Sequence, residues 1–239
     1  MRLSVSFAAA AVAAALLAAP ASAVSISISS FSPTGYAGAL GGFASVAASE
    51  DFEGFARGEQ GGPLATSVGA FETLGGTGSG STVTGTRGNT GTGLYLRDRS
   101  THGRSNTTTG GSNFLDSNDT FGMSWTISGL GLFDSVLFNL SDVGDTGGNL
   151  SISAGGTVLD TILKGRSGSL IDTVLISFGG FVGDATITLE KSKLNDGFAI
   201  DDVIVGSSVA AVPLPPAALA LVAGLGAIFF AARRRRADA

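Results

Sequence analysis

The sequence contains no cysteine and a single histidine, His102. Without cysteine there is no disulfide bond and no Cys-His catalysis, and one histidine is too few for a histidine-cluster zinc site. The motifs G-x-S-x-G, G-x-x-x-x-G-K-[ST] and G-x-G-x-x-G are also missing. A Ser-His-Asp triad would have to use His102, which lies in a loop-like stretch among Arg99, Gly103 and Arg104. We therefore interpret it as a solvated surface histidine.

Basic residues are also scarce, with 14 lysines and arginines against 19 aspartates and glutamates. Arg2, the arginine cluster 233–236 and Asp238 belong to the two terminal segments. The region between those segments keeps 9 basic and 18 acidic residues, a net charge of −9. Nucleic acid is excluded as a partner because phosphate binding needs clustered cations. The charge favours binding of cations instead.

Residues 1–23 have the three parts of a secretory signal peptide. Arg2 supplies the positive start, residues 7–19 form an apolar run, and Ala21-Ser22-Ala23 matches the A-x-A cleavage pattern. The apolar run is shorter than the ~20 residues that a membrane-spanning helix needs. We expect export of the chain, with Val24 as the first residue of the mature protein.

The other end carries a second membrane-related pattern. A proline-rich segment is followed by the uncharged run 217–232 and then by an arginine cluster. As a helix, that run is about 24 Å long, slightly less than the ~30 Å hydrocarbon core, so it is a marginal transmembrane helix. Arginines remain cytoplasmic by the positive-inside rule, which places residues 24–208 outside, in agreement with the signal peptide. The predicted organisation is a signal peptide (1–23), one extracellular domain (24–208) and a tail (209–239).

Short runs with alternating apolar residues recur through the domain, separated by Gly, Asn, Asp, Ser and Thr clusters. They predict an all-β fold, for which a two-sheet antiparallel sandwich or jelly roll is favoured, with a β-barrel and a solenoid as alternatives. Residues 75–93 and 103–112 are rich in Gly, Ser and Thr and are predicted to be long surface loops. The predicted strands lie at 24–28, 67–73, 81–86, 94–96, 121–127, 136–140, 150–154, 158–163, 174–178, 185–189 and 198–204.

Two adjacent carboxylates, Asp201 and Asp202, lie within the last predicted strand. In an unbroken strand Asp202 shares a face with Phe198, Ile200 and Ile204, while Asp201 points to the opposite face. At least one carboxylate is therefore flanked by apolar side chains, where a charge needs a cation or hydrogen-bond donors.

Calcium suits this position, because it binds hard oxygen ligands and is abundant outside cells. The first and last strands of a jelly roll are often neighbours, so the acidic run at residues 50–53 can supply further ligands. We predict one structural calcium between Asp51 or Glu53 and Asp201 or Asp202. Carboxylates that accept hydrogen bonds from backbone groups at a strand end are the alternative.

Other candidate sites concern carbohydrate. Trp125, with Tyr36 and Tyr95, could form a sugar-stacking platform, although the phase of Trp125 with Met123 and Ile127 favours a core position. A glycosidase with two carboxylates is compatible with the acidic residues, because the required separation is spatial and not sequential.

The tail Val212-Pro213-Leu214-Pro215, the apolar run 217–232 and the cluster Arg233, Arg234, Arg235 and Arg236 resemble the VPLPA-CTERM variant of the PEP-CTERM sorting signals of Gram-negative bacteria. Pro216 departs from the alanine that is usual in this variant. The resemblance implies recognition by an exosortase at the inner membrane, followed by surface display or release, typically alongside exopolysaccharide. Prolines that resist helix formation outside the bilayer agree with access by such an enzyme.

Four segments of the middle region, 51–55, 103–108, 113–120 and 196–202, resemble domains that are common among proteins sorted in this way. The last of them is also similar to the closing strand of MAM-like and carbohydrate-binding jelly rolls. In those folds an Asp of the Ile-Asp-Asp pattern can ligate a structural ion. We expect a non-enzymatic envelope or matrix protein associated with exopolysaccharide, with a carbohydrate-binding module and a secreted hydrolase as alternatives.

Overall fold

A computed structural model describes residues 24–60, 63–75, 93–98, 100, 103–109, 111–143, 150–159, 170–192 and 197–209. The predicted strand 81–86 lies outside these residues, as do His102, the signal segment 1–23 and the tail from 210 onwards. The tail positions Val212, Pro213, Leu214, Pro215 and the four arginines are therefore known from sequence alone.

The regular secondary structure of the described chain is mainly β-strand, as the alternating apolar patterns predict. It forms one helix, α1 (Pro33–Leu40), and fourteen strands. Within the described residues no helix is long and apolar enough to cross a membrane. The strands are β1 (Ser25–Ser30), β2 (Phe43–Glu50), β3 (Gly58–Gln60), β4 (Leu64–Thr66), β5 (Gly69–Thr73), β6 (Leu94–Arg97), β7 (Phe114–Asp116), β8 (Gly122–Ile127), β9 (Phe133–Ser141), β10 (Leu150–Ala154), β11 (Thr157–Leu159), β12 (Ile171–Val182), β13 (Ala185–Lys191) and β14 (Ala199–Ser208).

The strands form two antiparallel sheets. In the first sheet the order is β1-β12-β9-β14-β7-β6-β3, and β2 also pairs with β14. In the second sheet the order is β11-β10-β13-β8-β5-β4. Every pairing is antiparallel, as expected for a domain without crossover helices.

One hydrophobic core joins the two sheets, which makes the architecture a β-sandwich. Trp125 of β8 stacks on Phe71 of β5, with ring centroids 5.3 Å apart, and meets Phe138 of β9 edge-on at 6.0 Å. Its indole N–H donates to the Val68 carbonyl at 2.9 Å, so the polar atom of this fully buried ring is satisfied. The core position predicted for Trp125 is confirmed.

Several predicted apolar faces are also confirmed. In β8 Met123 and Ile127 are fully buried together with Trp125, whereas Phe121, predicted to share their face, precedes the strand and is 39 % exposed. The alternating apolar residues of β9 and β12 face the same core, because antiparallel pairing places the two strands side by side.

Elements with little apolar periodicity were not predicted. Helix α1 buries none of its residues and begins with Pro33 after Ser32, whose hydroxyl accepts a hydrogen bond from the Gly35 amide at 3.0 Å. Strand β2 is mostly exposed, and β3 and β7 have three residues each. Of the strand predicted at 67–73, residues 69–73 form β5, whereas residues 67 and 68 form the turn that joins β5 to β4 in a hairpin.

Candidate functional site

An early strand of the described chain, β2, pairs with its last strand, β14. The register places Glu50 opposite Val203, so the residue after β2, Asp51, comes close to Asp202. A pocket of about 240 Å³ opens at this junction. It is lined by Tyr36, Ser49, Glu50, Asp51, Thr108, Asp202 and Ile204.

A β-bulge determines how the two aspartates point. Pairing between β14 and β9 runs in one register up to Asp201–Asn139 and resumes one residue out of step at Ile204–Leu137. Asp202 has a φ of 49°, in the left-handed region, and its amide donates to Asp201 Oδ1 at 2.9 Å. The extra residue changes the phase of the strand after this point.

The prediction of an unbroken alternation through β14 is therefore wrong. Val203 and Val205, and not Ile204, continue the core face begun by Phe198 and Ile200. Because two residues oppose one at a bulge, every later side chain changes face.

The bulge also lies where β14 changes partner. Along one edge, Ala199 and Ile200 pair with β7, and from Val203 onwards the strand pairs with β2. Between these partners the Asp202 carbonyl accepts a hydrogen bond from the Tyr36 hydroxyl at 3.0 Å. The site is thus built in a break of the sheet, with helix α1 covering part of it.

Two threonines supply hydrogen-bond donors to both carboxylates. The Thr107 amide donates to Asp201 Oδ2 at 2.6 Å. The hydroxyl groups of Thr107 and Thr108 donate to Asp202 Oδ2 and Oδ1, both at 2.7 Å. The Asn139 side-chain amide also lies 3.4 Å from Asp202 Oδ2. Backbone and side-chain donors therefore satisfy these carboxylates, as the alternative to a cation requires.

The electrostatic state of Asp201 is unusual for a carboxylate. Burial raises its pKa to about 7, with a further contribution from the neighbouring Asp202 charge, while hydrogen bonds from Thr107 act in the opposite direction. Burial, followed by the charges of Asp202 and Asp201, also raises the pKa of the Tyr36 phenol. Both groups are therefore neutral over part or all of the physiological pH range.

Glu53, one of the predicted calcium ligands, accepts hydrogen bonds from the segment 103–113. Its Oε1 accepts hydrogen bonds from the Ser112 and Asn113 amides, at 2.5 and 2.7 Å, and from the Asn106 side chain at 3.3 Å. Glu53 thus accepts hydrogen bonds mainly from the end of the segment 103–113, whereas Asp201 and Asp202 accept them from Thr107 and Thr108 in its middle. Asp51 lines the pocket beside Asp202, and its Oδ1 accepts from the Glu53 amide at 3.1 Å.

The predicted surface loop at 103–112 is anchored rather than free. Its residue Arg104 is fully buried, and the Ser105 amide donates to the Ser141 hydroxyl at 3.0 Å. With the contacts to Glu53 and to the two aspartates, the described part of this segment is tied to strands β9 and β14 and to the connection between β2 and β3. It forms one wall of the pocket through Thr108.

A buried ionic cluster beneath this segment was not predicted. Arg104 Nη1 lies 3.0 Å from Asp116 Oδ2, and its Nε lies 3.2 Å from Asp142 Oδ2. Arg97 Nε forms a further ion pair with Asp116. Gly197 packs against this cluster so closely that an added Cβ would lie 2.8 Å from Arg104 Nη1. The glycine by itself does not reveal this contact in the sequence.

The remaining predicted site residues are dispersed. Trp125 lies in the core, Tyr95 carries the Arg97 guanidinium 4.6 Å above its ring, and Tyr36 lines the pocket. The three aromatic rings therefore do not form one platform. Within the described residues no group of three or more acidic, histidine or cysteine side chains has the arrangement of a metal site.

No protein-family model matches the chain, and no curated protein matches it. Among solved structures, a family 35 carbohydrate-binding module from Clostridium thermocellum is similar with 14 % identity and a TM-score of 0.31, covering 48 % of this chain and 88 % of the module. The CBM22-1 xylan-binding domain from Paenibacillus barcinonensis has 10 % identity and a TM-score of 0.34, covering 69 % of this chain and 97 % of the domain.

The catalytic unit of a GH87 alpha-1,3-glucanase from Streptomyces thermodiastaticus is also similar, with 17 % identity and a TM-score of 0.29. The match covers 44 % of this chain and only 22 % of the glucanase unit. All of these TM-scores are below 0.5, so the likenesses assign neither a family nor an activity to this chain.

Proposed function

We propose that this protein is exported, sorted to the cell surface and active there as a non-enzymatic envelope or matrix protein that binds exopolysaccharide. The observation that carries the binding part is the pocket between β2 and β14. It combines an aromatic ring, Tyr36, with an exposed carboxylate, Asp51, and the threonine hydroxyl of Thr108. Sugars are recognised by such mixtures, because rings pack on their C–H faces while carboxylates and hydroxyls bind their hydroxyl groups.

The size of the pocket and the net charge of the domain restrict which class of sugar can bind. About 240 Å³ is below the range typical of sites for drug-sized ligands and accommodates a single sugar unit of a longer chain. The domain carries a net charge of −9, which disfavours a polyanionic polysaccharide. We therefore propose that an uncharged sugar unit occupies the pocket.

Binding is tested with Asp51→Ala, measured against the exopolysaccharide of the native host and on a glycan array. Loss of a charge-assisted hydrogen bond of about 1.5–3 kcal/mol should weaken binding roughly tenfold or more. The matched control is Asp184→Ala, which removes an exposed carboxylate at the β12–β13 turn and should bind as the wild type does. Equal affinity of both variants would remove the pocket from the proposal.

A secreted hydrolase is the competing function, because Asp51 and Asp202 line the same pocket. Both Asp202 oxygens accept hydrogen bonds from threonine hydroxyls, which suits a fixed structural carboxylate better than one that exchanges protons. Release of reducing sugar from the bound polysaccharide, abolished by Asp51→Ala, would establish hydrolysis in place of binding.

The sorting part of the proposal rests on the tail sequence. It implies processing by an exosortase-type membrane enzyme and a transient stay in the inner membrane. Intact-mass spectrometry of protein from the cell surface and medium should give a mass that begins at Val24 and ends within residues 212–216. A mass that retains Arg233 to Arg236 would show that the tail is a plain anchor.

A structural calcium remains part of the proposal. Its proposed ligands are Asp51 or Glu53 together with Asp201 or Asp202. Asp51 is favoured over Glu53, because Glu53 Oε1 already accepts three hydrogen bonds. Calcium should raise the melting temperature of the EDTA-treated protein by binding only the folded state. An unchanged melting temperature would remove calcium from the proposal.

A further inference from the structure

The chain leaves the sandwich at a defined end of the domain. The last strand, β14, finishes at Ser208, whose amide and hydroxyl donate to the two oxygens of Asp134 at 2.7 and 2.9 Å. Asp134 is the second residue of β9. The exit of the chain is thereby fixed beside the start of β9.

Two large apolar side chains are exposed at this same end. Leu132, 67 % exposed, precedes Phe133, the first residue of β9, and Phe181, 62 % exposed, is the residue before the last of β12. Phe133 and Val182 are paired across the two strands, so Leu132 and Phe181 lie near each other at the same end of the sheet. Neighbouring exposed apolar side chains form a candidate contact surface.

The opposite end of the sandwich provides a comparison. Phe121 and Leu170, each 39 % exposed, precede the first residues of β8 and β12. Because β8, β9 and β12 are linked through antiparallel pairings and the β12–β13 turn, these two residues lie at the end away from Ser208. Asp201 pairs with Asn139 on that far half of β9, so the pocket is also remote from the chain exit.

The length of the tail limits the distance between the sandwich and the proposed membrane segment. Eight residues, 209–216, separate the sandwich from the uncharged run 217–232. Fully extended, they span at most about 29 Å. If the uncharged run lies in the membrane, the near end of the sandwich is held within that distance of the lipid surface.

We propose that the end of the sandwich formed by Leu132 and Phe181 rests on the membrane, with both side chains inserted between lipid headgroups, as long as the tail is attached. The inference rests on the proposed function, because it takes residues 217–232 as the membrane segment. Leucine and phenylalanine are side chains that interfacial binding uses, because burying their apolar surface in the headgroup region is favourable.

The charge of the domain selects the type of lipid. The region between the terminal segments has a net charge of −9, and the carboxylate of Asp184 is exposed in the turn beside Phe181. Anionic headgroups would be repelled, so apolar insertion into a zwitterionic surface is the mode of contact. The orientation directs the pocket away from the membrane.

The absence of cysteine allows a direct test. Full-length protein carrying Leu132→Cys or Phe181→Cys, labelled with an environment-sensitive fluorophore, is reconstituted into phosphatidylcholine vesicles. The label should shift its emission to shorter wavelength, lose quenching by aqueous iodide and gain quenching by lipid-borne nitroxides. The matched controls Phe121→Cys and Leu170→Cys, at the far end, should remain fully accessible to iodide.

A label at a third position tests the roles of Leu132 and Phe181 without replacing either of them by a fluorophore. Ser128→Cys, in the exposed connection between β8 and β9, should be protected from iodide in the parent chain and should lose that protection when Leu132→Ser and Phe181→Ser are added.

Three outcomes would overturn the inference. Iodide quenching at positions 132 and 181 equal to that at 121 would show that this end does not touch the membrane. Protection from iodide without nitroxide quenching would identify a protein contact instead of lipid. Failure of the unlabelled full-length chain to float with vesicles would overturn the membrane tail itself, and with it the sorting proposal, whereas the first two results leave that proposal intact.

Discussion

Replacing Arg104 by methionine should lower the free energy of unfolding by about 3–5 kcal/mol. The fully buried guanidinium contacts Asp116 and Asp142, which are themselves buried. Methionine fills much of the volume but leaves these carboxylates with one cation fewer in a region of low dielectric, where charge is costly. Urea denaturation monitored by the fluorescence of Trp125 measures the loss.

The matched control is Arg57→Met. Arg57 forms an ion pair of 2.6 Å with Asp98, but its side chain is 58 % exposed, so the pair is screened by solvent and should contribute less than about 1 kcal/mol. Adding Asp142→Asn to Arg104→Met removes one of the two carboxylate charges that contact the guanidinium in the wild type, and it should recover part of the stability. If Arg104→Met and Arg57→Met unfold at the same urea concentration, the buried cluster has no special role.

The stability of the EDTA-treated protein should fall as the pH rises from 5 to 7. The pKa of Asp201 is about 7 in the folded state, above its ordinary value of 3.8, so the folded chain holds a proton that the unfolded chain releases. This contribution is fully present below the unfolded pKa and is lost as the pH rises through about 7. The slope is about 1.4 kcal/mol per pH unit at pH 5 and falls to half of that at pH 7, where the folded Asp201 is half deprotonated, so the change between pH 5 and pH 7 is about 2 kcal/mol.

Asp201→Asn isolates this effect from the other titrating groups. Asparagine keeps an oxygen that can accept from the Thr107 amide, but it carries no titrating proton. The difference in free energy of unfolding between wild type and Asp201→Asn should therefore shift in favour of the variant between pH 5 and pH 7 and stay constant from pH 8 upward. A difference that is independent of pH would mean that Asp201 is ionised throughout this range.

Much of the fold was predictable because apolar and polar residues alternate along its longer strands, and this alternation shows which face of each strand is buried in the core. The apolar residues of β8, β9, β12 and β13 recur every second position, and a strand that is covered on one face requires this pattern. The core position of Trp125 follows from the same periodicity.

The elements that build the pocket carry no such signal. Strand β2 is mostly exposed and consists mainly of alanine and serine, and α1 buries none of its side chains. Their positions are set by pairing with β14 and by the Tyr36–Asp202 hydrogen bond, which join residues far apart in sequence. Local pattern cannot report contacts of this kind.

By itself, the sequence determined that no disulfide, Cys-His catalysis or histidine-cluster zinc site is present, that the domain between the terminal segments is acidic, and that its strands alternate. Only the tertiary structure decided how the carboxylates are used. A one-residue bulge at Asp202 reverses the faces of β14, and the segment 103–113 brings Thr107 and Thr108 to the aspartates and Arg104 into the interior. The physical reason is that a charge is stabilised by whatever donors the folded chain places beside it, and those donors come from distant positions that periodicity does not connect.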